Sequence, residues 1–456
     1  MKIIRGLIYI LQRESYDARR FLAFVYGDYR WWALERRQAI DWTNKAKALY
    51  ITVWGVITIL AAVLIYYLNW WTILALTILL PLLPLLIILS LGLLWPLDHY
   101  LKQCRVAAAR QALKTMSTTV IGITGSYGKT SLKEILLAVL QANRPVIATP
   151  DNVNTDLGIA EFILKNRDKI AAAAFFIVEM GAYQRGDIAR ICDLVQPAYS
   201  LLTGINEAHL ERFGSLEKTV QAKFELAERT AKQVILNLTD DNVRANYARF
   251  RLPAVEGVDY SAVTDLAAKP DFGGWSFRYR GYDFTTRLLA KHNIILIAMA
   301  LRLAERLGLD LSLAAAPLVA MPFVKHRLEP IYNQQSRLLV IDDSYNGNFQ
   351  GFISGLDVLS RASGRKLVIT PGLVELGVKK EIRHREIARL YADQRLDLVL
   401  LVENSATRYI IDEFKQIGFV NYQVYPSAAA AHQALATVLK PGDTIIFQND
   451  WPDNYK

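Results

Sequence analysis

Between Lys47 and Asp98 the sequence has no charged residue, and the whole 456-residue chain has only two cysteines and six histidines. Each scarcity removes a class of protein. Cys104 and Cys192 fit no metal-ligand spacing and are too few to staple a secreted domain, so reduced thiols are expected. The start of the chain lacks the single short apolar core and small-residue cleavage site of a removable signal peptide. No nucleic-acid motif accompanies the net charge of +10, so no nucleic-acid partner is expected.

What is present is an uncharged run, 48–97, long enough for two crossings of a bilayer, since one crossing needs about 20 apolar residues. At its midpoint, Leu68-Asn69-Trp70-Trp71-Thr72 supplies a polar break and a tryptophan pair suited to an interfacial turn. The run therefore reads as a helical hairpin over 48–68 and 72–94, with Pro81 and Pro84 expected to kink or unwind its second arm. A pair of buried helices in a soluble protein is the alternative that its length disfavours. Lys45 and Lys47 precede the hairpin and Lys102, Arg105, Arg110 and Lys114 follow it. The expected location is thus the cytoplasmic membrane, multi-pass with two helices, with the catalytic domains cytoplasmic. Residues 1–47 mix Arg5, Arg13, Arg19, Arg20, Arg30, Arg36 and Arg37 with Leu7, Ile8, Leu11, Phe21, Phe24, Trp31 and Trp32. That pattern suits either a basic amphipathic segment with membrane lipid as its partner or a basic helix packed on the protein's own soluble domain.

After a basic linker helix, 98–117, strands and helices alternate. Strands are expected at 119–124, 175–178, 199–203 and 234–238, with antiparallel strands over 275–289 and a helix over 292–307. A second unit carries strands at 337–341, 366–369, 396–402 and 444–447. The expected class is α/β: a two-helix transmembrane hairpin (48–97), a P-loop α/β ATPase domain (118–322) and a C-terminal Rossmann-like α/β domain (323–456).

Chemistry is densest after the first of these strands. Gly125-Ser126-Tyr127-Gly128-Lys129-Thr130-Ser131 joins it to a helix. Glycines there let backbone N–H groups approach a triphosphate, the helix start adds partial positive charge, Lys129 reaches the outer phosphates, and Thr130 can ligate Mg²⁺. A glycine turn before a helix is often structural alone; Lys129 and Thr130 in register favour nucleotide.

Thr124-Gly-Ser-Tyr-Gly-Lys-Thr130 resembles the ATP loop of the Mur ligases, and a series of further blocks follows in that family's order. They are Thr149-Pro-Asp-Asn152-Val-Asn154-Thr155, Val178-Glu179-Met-Gly181, Asn206-Glu-Ala-His209, Ala222-Lys223-Phe-Glu225, His292-Asn293, Arg327, Asp342-Asp343-Ser-Tyr345-Asn346 and Glu375-Leu-Gly377. The match is nearest to the MurF type. The resemblance implies an ATP-dependent carboxylate–amine ligase of the cell wall that works through an acyl phosphate, with an amino acid or dipeptide as the amine. It implies catalytic roles for Lys129, Glu179, His209 and Lys223, and two Mg²⁺ ions held through Thr130, Glu179, His209 and a carbamylated Lys223. It further implies nucleotide contacts from Asn293, Arg327 and Asp343, and acceptor contacts from Asn152, Asn154 and Thr155. Taken singly, Glu179, His209 and Lys223 are as well read as a surface charge, a loop cap and a solvated helix residue.

The resemblance stops at four places. The family's uridine-nucleotide domain has no counterpart and the hairpin stands in its place, which favours a lipid-linked acceptor over a UDP-linked one. Leu296 occupies a position usually held by asparagine. Phe349 replaces a proline and Thr370-Pro-Gly372 a Gly-Asp pair. The segment 447–456 lacks the family's Lys-Gly-Ser. Two other functions stay open: an ammonia-using amidating ligase partnered with a glutaminase, and a non-catalytic, nucleotide-responsive membrane scaffold.

Overall fold

Where it is described, the uncharged run folds as two long helices, Asn44–Leu68 and Leu83–Lys114. The structure, a computed structural model, describes residues 2–14, 16–27, 40–68, 82–208, 210–345, 347–374 and 376–448. It divides into two units, Met1–Arg105 and Val106–Lys456.

In the first unit both helices are long and apolar enough to cross a membrane, and only 11% and 22% of their most apolar windows are buried. Ile51, Ile59, Ile65, Leu89, Leu93 and Trp95 point outward. The hydroxyls of Thr58 and Ser90 donate to the carbonyls of Trp54 and Leu86 one turn back, so neither is left needing water. Lys45 Nζ pairs with Asp98 Oδ2 at 2.7 Å, closing the uncharged run with one ion pair. The helix Lys2–Arg13 lays Leu7, Ile8 and Leu11 against Leu49, Val53 and Ile87, all fully buried. The apolar face of this first helix thus packs on the two long apolar helices, and Arg30, Trp31, Trp32, Arg36 and Arg37 lie outside the described residues.

Pro84 lies at the start of the second long helix, where the missing N–H costs little. That helix continues through Pro96, and the expected linker helix is its last part rather than a separate element. The expected turn at 69–72 and Pro81 lie outside the described residues. Cys104 is exposed and Cys192 buried.

Among its described residues the second unit holds three sheets. The first contains β1 (Thr119–Thr124), β2 (Val146–Ala148), β3 (Phe175–Glu179), β4 (Tyr199–Leu202), β5 (Gln233–Asn237) and β6 (Ala254–Val258). All pair in parallel, in the order β2-β3-β1-β4-β5-β6. β1 and β3 are almost wholly buried because helices cover both faces. Lys129–Gln141 and His292–Arg306 pack on one side, and Asp156–Lys165, Asp187–Val195 and Leu216–Glu228 on the other. The chain leaves β1 toward β2 and β3 and returns to its other flank at β4. The crevice at the carboxyl end of β1 is therefore where such a sheet binds ligands.

A three-stranded antiparallel sheet, β7 (Thr264–Ala268), β8 (Trp275–Tyr279) and β9 (Tyr282–Thr286), sends Trp275, Phe277 and Phe284 into the same core. The third sheet contains β10 (Glu329–Asn333), β11 (Leu338–Asp343), β12 (Lys366–Thr370), β13 (Leu398–Val402), β14 (Tyr422–Tyr425) and β15 (Thr444–Gln448). Its order is β10-β11-β15-β12-β13-β14, with β10 alone antiparallel.

Candidate active site

Backbone shape alone selects the glycines of the loop after β1. Gly125 has φ 154°, and a Cβ there would lie 2.0 Å from Thr203 Oγ1. Gly128, at φ 71°, caps the helix Lys129–Gln141 in the left-handed region. The Ser126 N–H donates to Gly204 O at 2.7 Å, and Thr203 Oγ1 donates to Tyr127 O at 2.5 Å. Tyr127 hangs its hydroxyl on Asp240 Oδ2 at 2.7 Å. Of Tyr127, then, the phenol anchors the loop. Leu296 lies under the loop, with Cδ1 3.4 Å from where a Gly128 Cβ would be.

Polar side chains gather at the start of the helix. Lys129 Nζ donates to Gly125 O at 2.9 Å, and Thr130 Oγ1 donates to Glu179 Oε2 at 3.0 Å. Ser131 is buried one residue further on. Burial pulls the Lys129 amine below the ordinary lysine range; Glu179 opposes this and Arg327 adds to it. Lys133, one turn on, is almost completely buried, with Nζ 2.9 Å from Asp151 Oδ1 and 3.7 Å from Glu179 Oε2. Burial alone would lower its pKa, but Asp151, Glu179 and Glu134 outweigh that and raise it. Sequence reading passed over Lys133, although its four-residue spacing from Lys129 places both on one helix face.

Lys223 is buried on the helix Leu216–Glu228, its Nζ 5.7 Å from the Phe213 ring centroid. Desolvation, then repulsion from Lys129, brings its amine down to about 7, against Asp187, Glu225 and Glu179. His209, Asn346 and Glu375 lie outside the described residues.

Residues from the second α/β domain face this group. Arg327 stacks 4.6 Å above the Tyr345 ring, and the Tyr345 hydroxyl donates to Asn152 Oδ1 across the two domains. Desolvation raises the Asp343 carboxyl to about 7, against the pull of Arg327. His292 is kept neutral, at about 4, by burial and by Arg327, and its Nδ1 lies 3.2 Å from Ser354 Oγ. Two further bridges were missed in the sequence. Asn206 Nδ2 donates to Asn348 Oδ1 and Gln350 Oε1, each at 3.2 Å. Arg383 Nη2 lies 2.6 Å from Glu207 Oε1, with its guanidinium 4.4 Å from the Phe349 ring.

The three residues read as acceptor contacts separate here. Asn152 joins the Tyr345 bridge at φ 66°. The Asn154 carbonyl accepts from the Gly181 N–H at 2.8 Å, beside Glu179. Thr155 spends its hydroxyl capping the helix Asp156–Lys165, accepting from the Gly158 N–H at 3.3 Å.

The residues present fit a nucleotide with its metal ion. Ser126 Oγ beside the phosphate loop and Asn293 Oδ1 on the helix His292–Arg306 are buried atoms with no hydrogen-bond partner among the described residues. Thr130 and Glu179 offer the hard oxygen donors that Mg²⁺ takes.

Known proteins are similar to this chain in sequence and fold. Residues 123–304 match the Mur ligase middle domain and residues 326–448 the Mur ligase, glutamate ligase domain. The UDP-N-acetylmuramoyl-tripeptide--D-alanyl-D-alanine ligase of Haemophilus influenzae is 29% identical, over 67% of this chain and 69% of its own length. That of Escherichia coli is 28% identical, over 67% and 71%. A crystal structure of MurF from Acinetobacter baumannii superposes with a TM-score of 0.69 at 22% identity, covering 76% of this chain and 77% of the other. MurF ligase from Thermotoga maritima in complex with ADP gives 0.65 at 26% identity, covering 76% and 80%. With both catalytic domains matched in order behind two long apolar helices, the chain belongs to the Mur ligase family of ATP-dependent carboxylate–amine ligases.

Proposed function

We propose that this chain is a MurF-like ligase that joins an amino acid or dipeptide to the carboxylate of a peptidoglycan precursor, working at the cytoplasmic membrane face on a lipid-linked acceptor. The observation that carries the chemistry is the meeting of Lys129, Thr130, Glu179 and Lys223 from the first domain with Arg327 from the second.

In this reading the acceptor carboxylate oxygen attacks the γ-phosphorus of ATP, ADP leaves, and an acyl phosphate results. The amine then attacks the carbonyl carbon, phosphate leaves, and the amine's surplus proton is lost. Loop N–H groups and Lys129 hold the phosphates, and Arg327 adds positive charge where the γ-phosphoryl group transfers. Thr130 and Glu179 would hold one Mg²⁺ and, by the family resemblance, His209 and Lys223 would help hold a second; when bound, these ions would screen the charge between the two anions. Lys133 keeps the Glu179 carboxylate in place and ties it to the loop bearing Asn152. The cross-domain contacts through Tyr345, Asn206 and Arg383 shut the crevice, which protects an acyl phosphate from water.

Carbamylation of Lys223 needs an unprotonated amine, and an amine brought down to about 7 supplies it at neutral pH. The product is a carboxylate-like oxygen ligand in a pocket where an ammonium is disfavoured.

Membrane placement is supported by the outward apolar faces of Asn44–Leu68 and Leu83–Lys114 and by the Lys45–Asp98 pair at one end of the run. The deciding assay is ADP release by detergent-solubilised protein over a matrix of acceptors and amines, with Lys129→Ala as blank. Turnover on an undecaprenyl-linked peptide with little on its UDP-linked counterpart is expected. The reverse preference rejects the lipid-linked acceptor.

A further inference from the structure

β10 and β11 pair antiparallel with Glu329 directly opposite Asp342. Two carboxylates on facing positions of a strand pair repel. Among the described residues no lysine or arginine lies within ion-pair distance of either, and the one basic group that reaches them is His326. Its Nδ1 lies 2.7 Å from Asp342 Oδ2, and its backbone N–H donates to Glu329 Oε2 at 3.1 Å. The other Asp342 oxygen accepts from the Ser344 N–H at 3.1 Å, which fixes the carboxylate's rotation. One ligand atom from each of His326, Glu329 and Asp342 falls within 4.8 Å of the other two. His326 holds this position at φ 59°, a left-handed conformation that disfavours a side chain.

We propose that His326, Glu329 and Asp342 form a binding site for a divalent transition-metal ion of the zinc or cobalt type, separate from the Mg²⁺ at Thr130 and Glu179. One imidazole nitrogen and two carboxylate oxygens, with water completing the shell, suit these ions, whereas Mg²⁺ favours oxygen-only sites and gives up its water reluctantly. The ion cancels the cross-strand repulsion and ties the residue before Arg327 to the sheet edge beside Asp343. Its place is therefore a clamp on the lead-in to the second domain, and the inference stands whichever acceptor the ligase uses.

The test is a Co²⁺ titration of the full detergent-solubilised chain in excess Mg²⁺, followed by visible absorption of the Co²⁺ and by equilibrium dialysis. One Co²⁺ per chain is expected, competed by Zn²⁺. His326→Gly is the informative variant because glycine accepts φ 59° freely and keeps the fold. It should weaken Co²⁺ binding at least ~10–100-fold, the loss that even an outer-shell partner causes, with the circular-dichroism spectrum and melting temperature as the folding control. Asp342→Asn should weaken it similarly, and Glu179→Gln should leave it intact. Absence of stoichiometric Co²⁺ binding overturns the site, as does unchanged binding in His326→Gly.

Discussion

The loop after β1 and the loop leading into β10 both place a cation beside residues at positive φ, but they do so with different residues. The first uses Gly125 and Gly128 ahead of Lys129; the second uses His326 and Leu328 around Arg327. In the first, backbone N–H groups must come close to a ligand, and a Cβ would collide with Thr203 or crowd Leu296. In the second, side chains are what is being delivered, and the backbone bends to aim them. A rigid cradle and an aimed arm need opposite solutions to the same turn.

The largest effect expected from breaking this arrangement comes from the cradle. Lys129→Ala should lower kcat by about 10²–10³-fold or more, the scale of losing one charge-stabilising donor, measured by ADP release. Lys223→Met should abolish turnover nearly as completely while stabilising the fold. The Lys223 amine is at about 7 in the folded chain against an ordinary 10.5. Its buried charge therefore costs stability in full below about 7, and the cost fades as pH rises toward the unfolded value. The melting-temperature gain of Lys223→Met should be greatest near pH 6 and shrink steadily between pH 7 and 10; a gain that grows with pH contradicts the assignment. Wild-type activity should also depend on bicarbonate, most visibly in CO₂-depleted buffer.

Smaller effects fall on the arm. Tyr345→Phe keeps the ring beneath Arg327 but loses the hydrogen bond to Asn152, worth about 1 kcal/mol or roughly fivefold in kcat/KM. The smallest is Arg337→Gly, in the turn between β10 and β11 at φ 52°. Relief of the left-handed strain should raise stability by no more than about 1 kcal/mol in denaturant melts, with activity unchanged.

The cradle could be read from sequence because its physics is local: a buried strand, glycines where no Cβ fits, and a helix opening on Lys129 and Thr130. The central strands could be read for the same reason, since β1, β3, β4, β5, β12, β13 and β15 are apolar runs. The strands that escaped notice, β2, β6, β7, β10 and β14, are all sheet edges, where one side meets solvent and the apolar run thins out. Lys133 escaped because a lysine inside a helix gives no sign of burial until Asp151 and Glu179 are placed around it. Arg383 and Glu207 escaped because 176 positions separate them and only domain closure makes them neighbours. Thr155 shows the converse, a motif residue whose hydroxyl the fold uses for a helix cap.

The contrast between the two cysteines has a practical side. Burial pushes the Cys192 thiol up to about 12, so it stays protonated and shielded from reagents, while Cys104 is exposed shortly after the end of the uncharged run. The native chain thus carries one addressable atom, at a fixed number of residues from the Lys45–Asp98 pair. A fluorophore or spin label on Cys104, read against quenchers held at known depths in a lipid nanodisc, becomes a dipstick for the apolar helices without a single engineered residue.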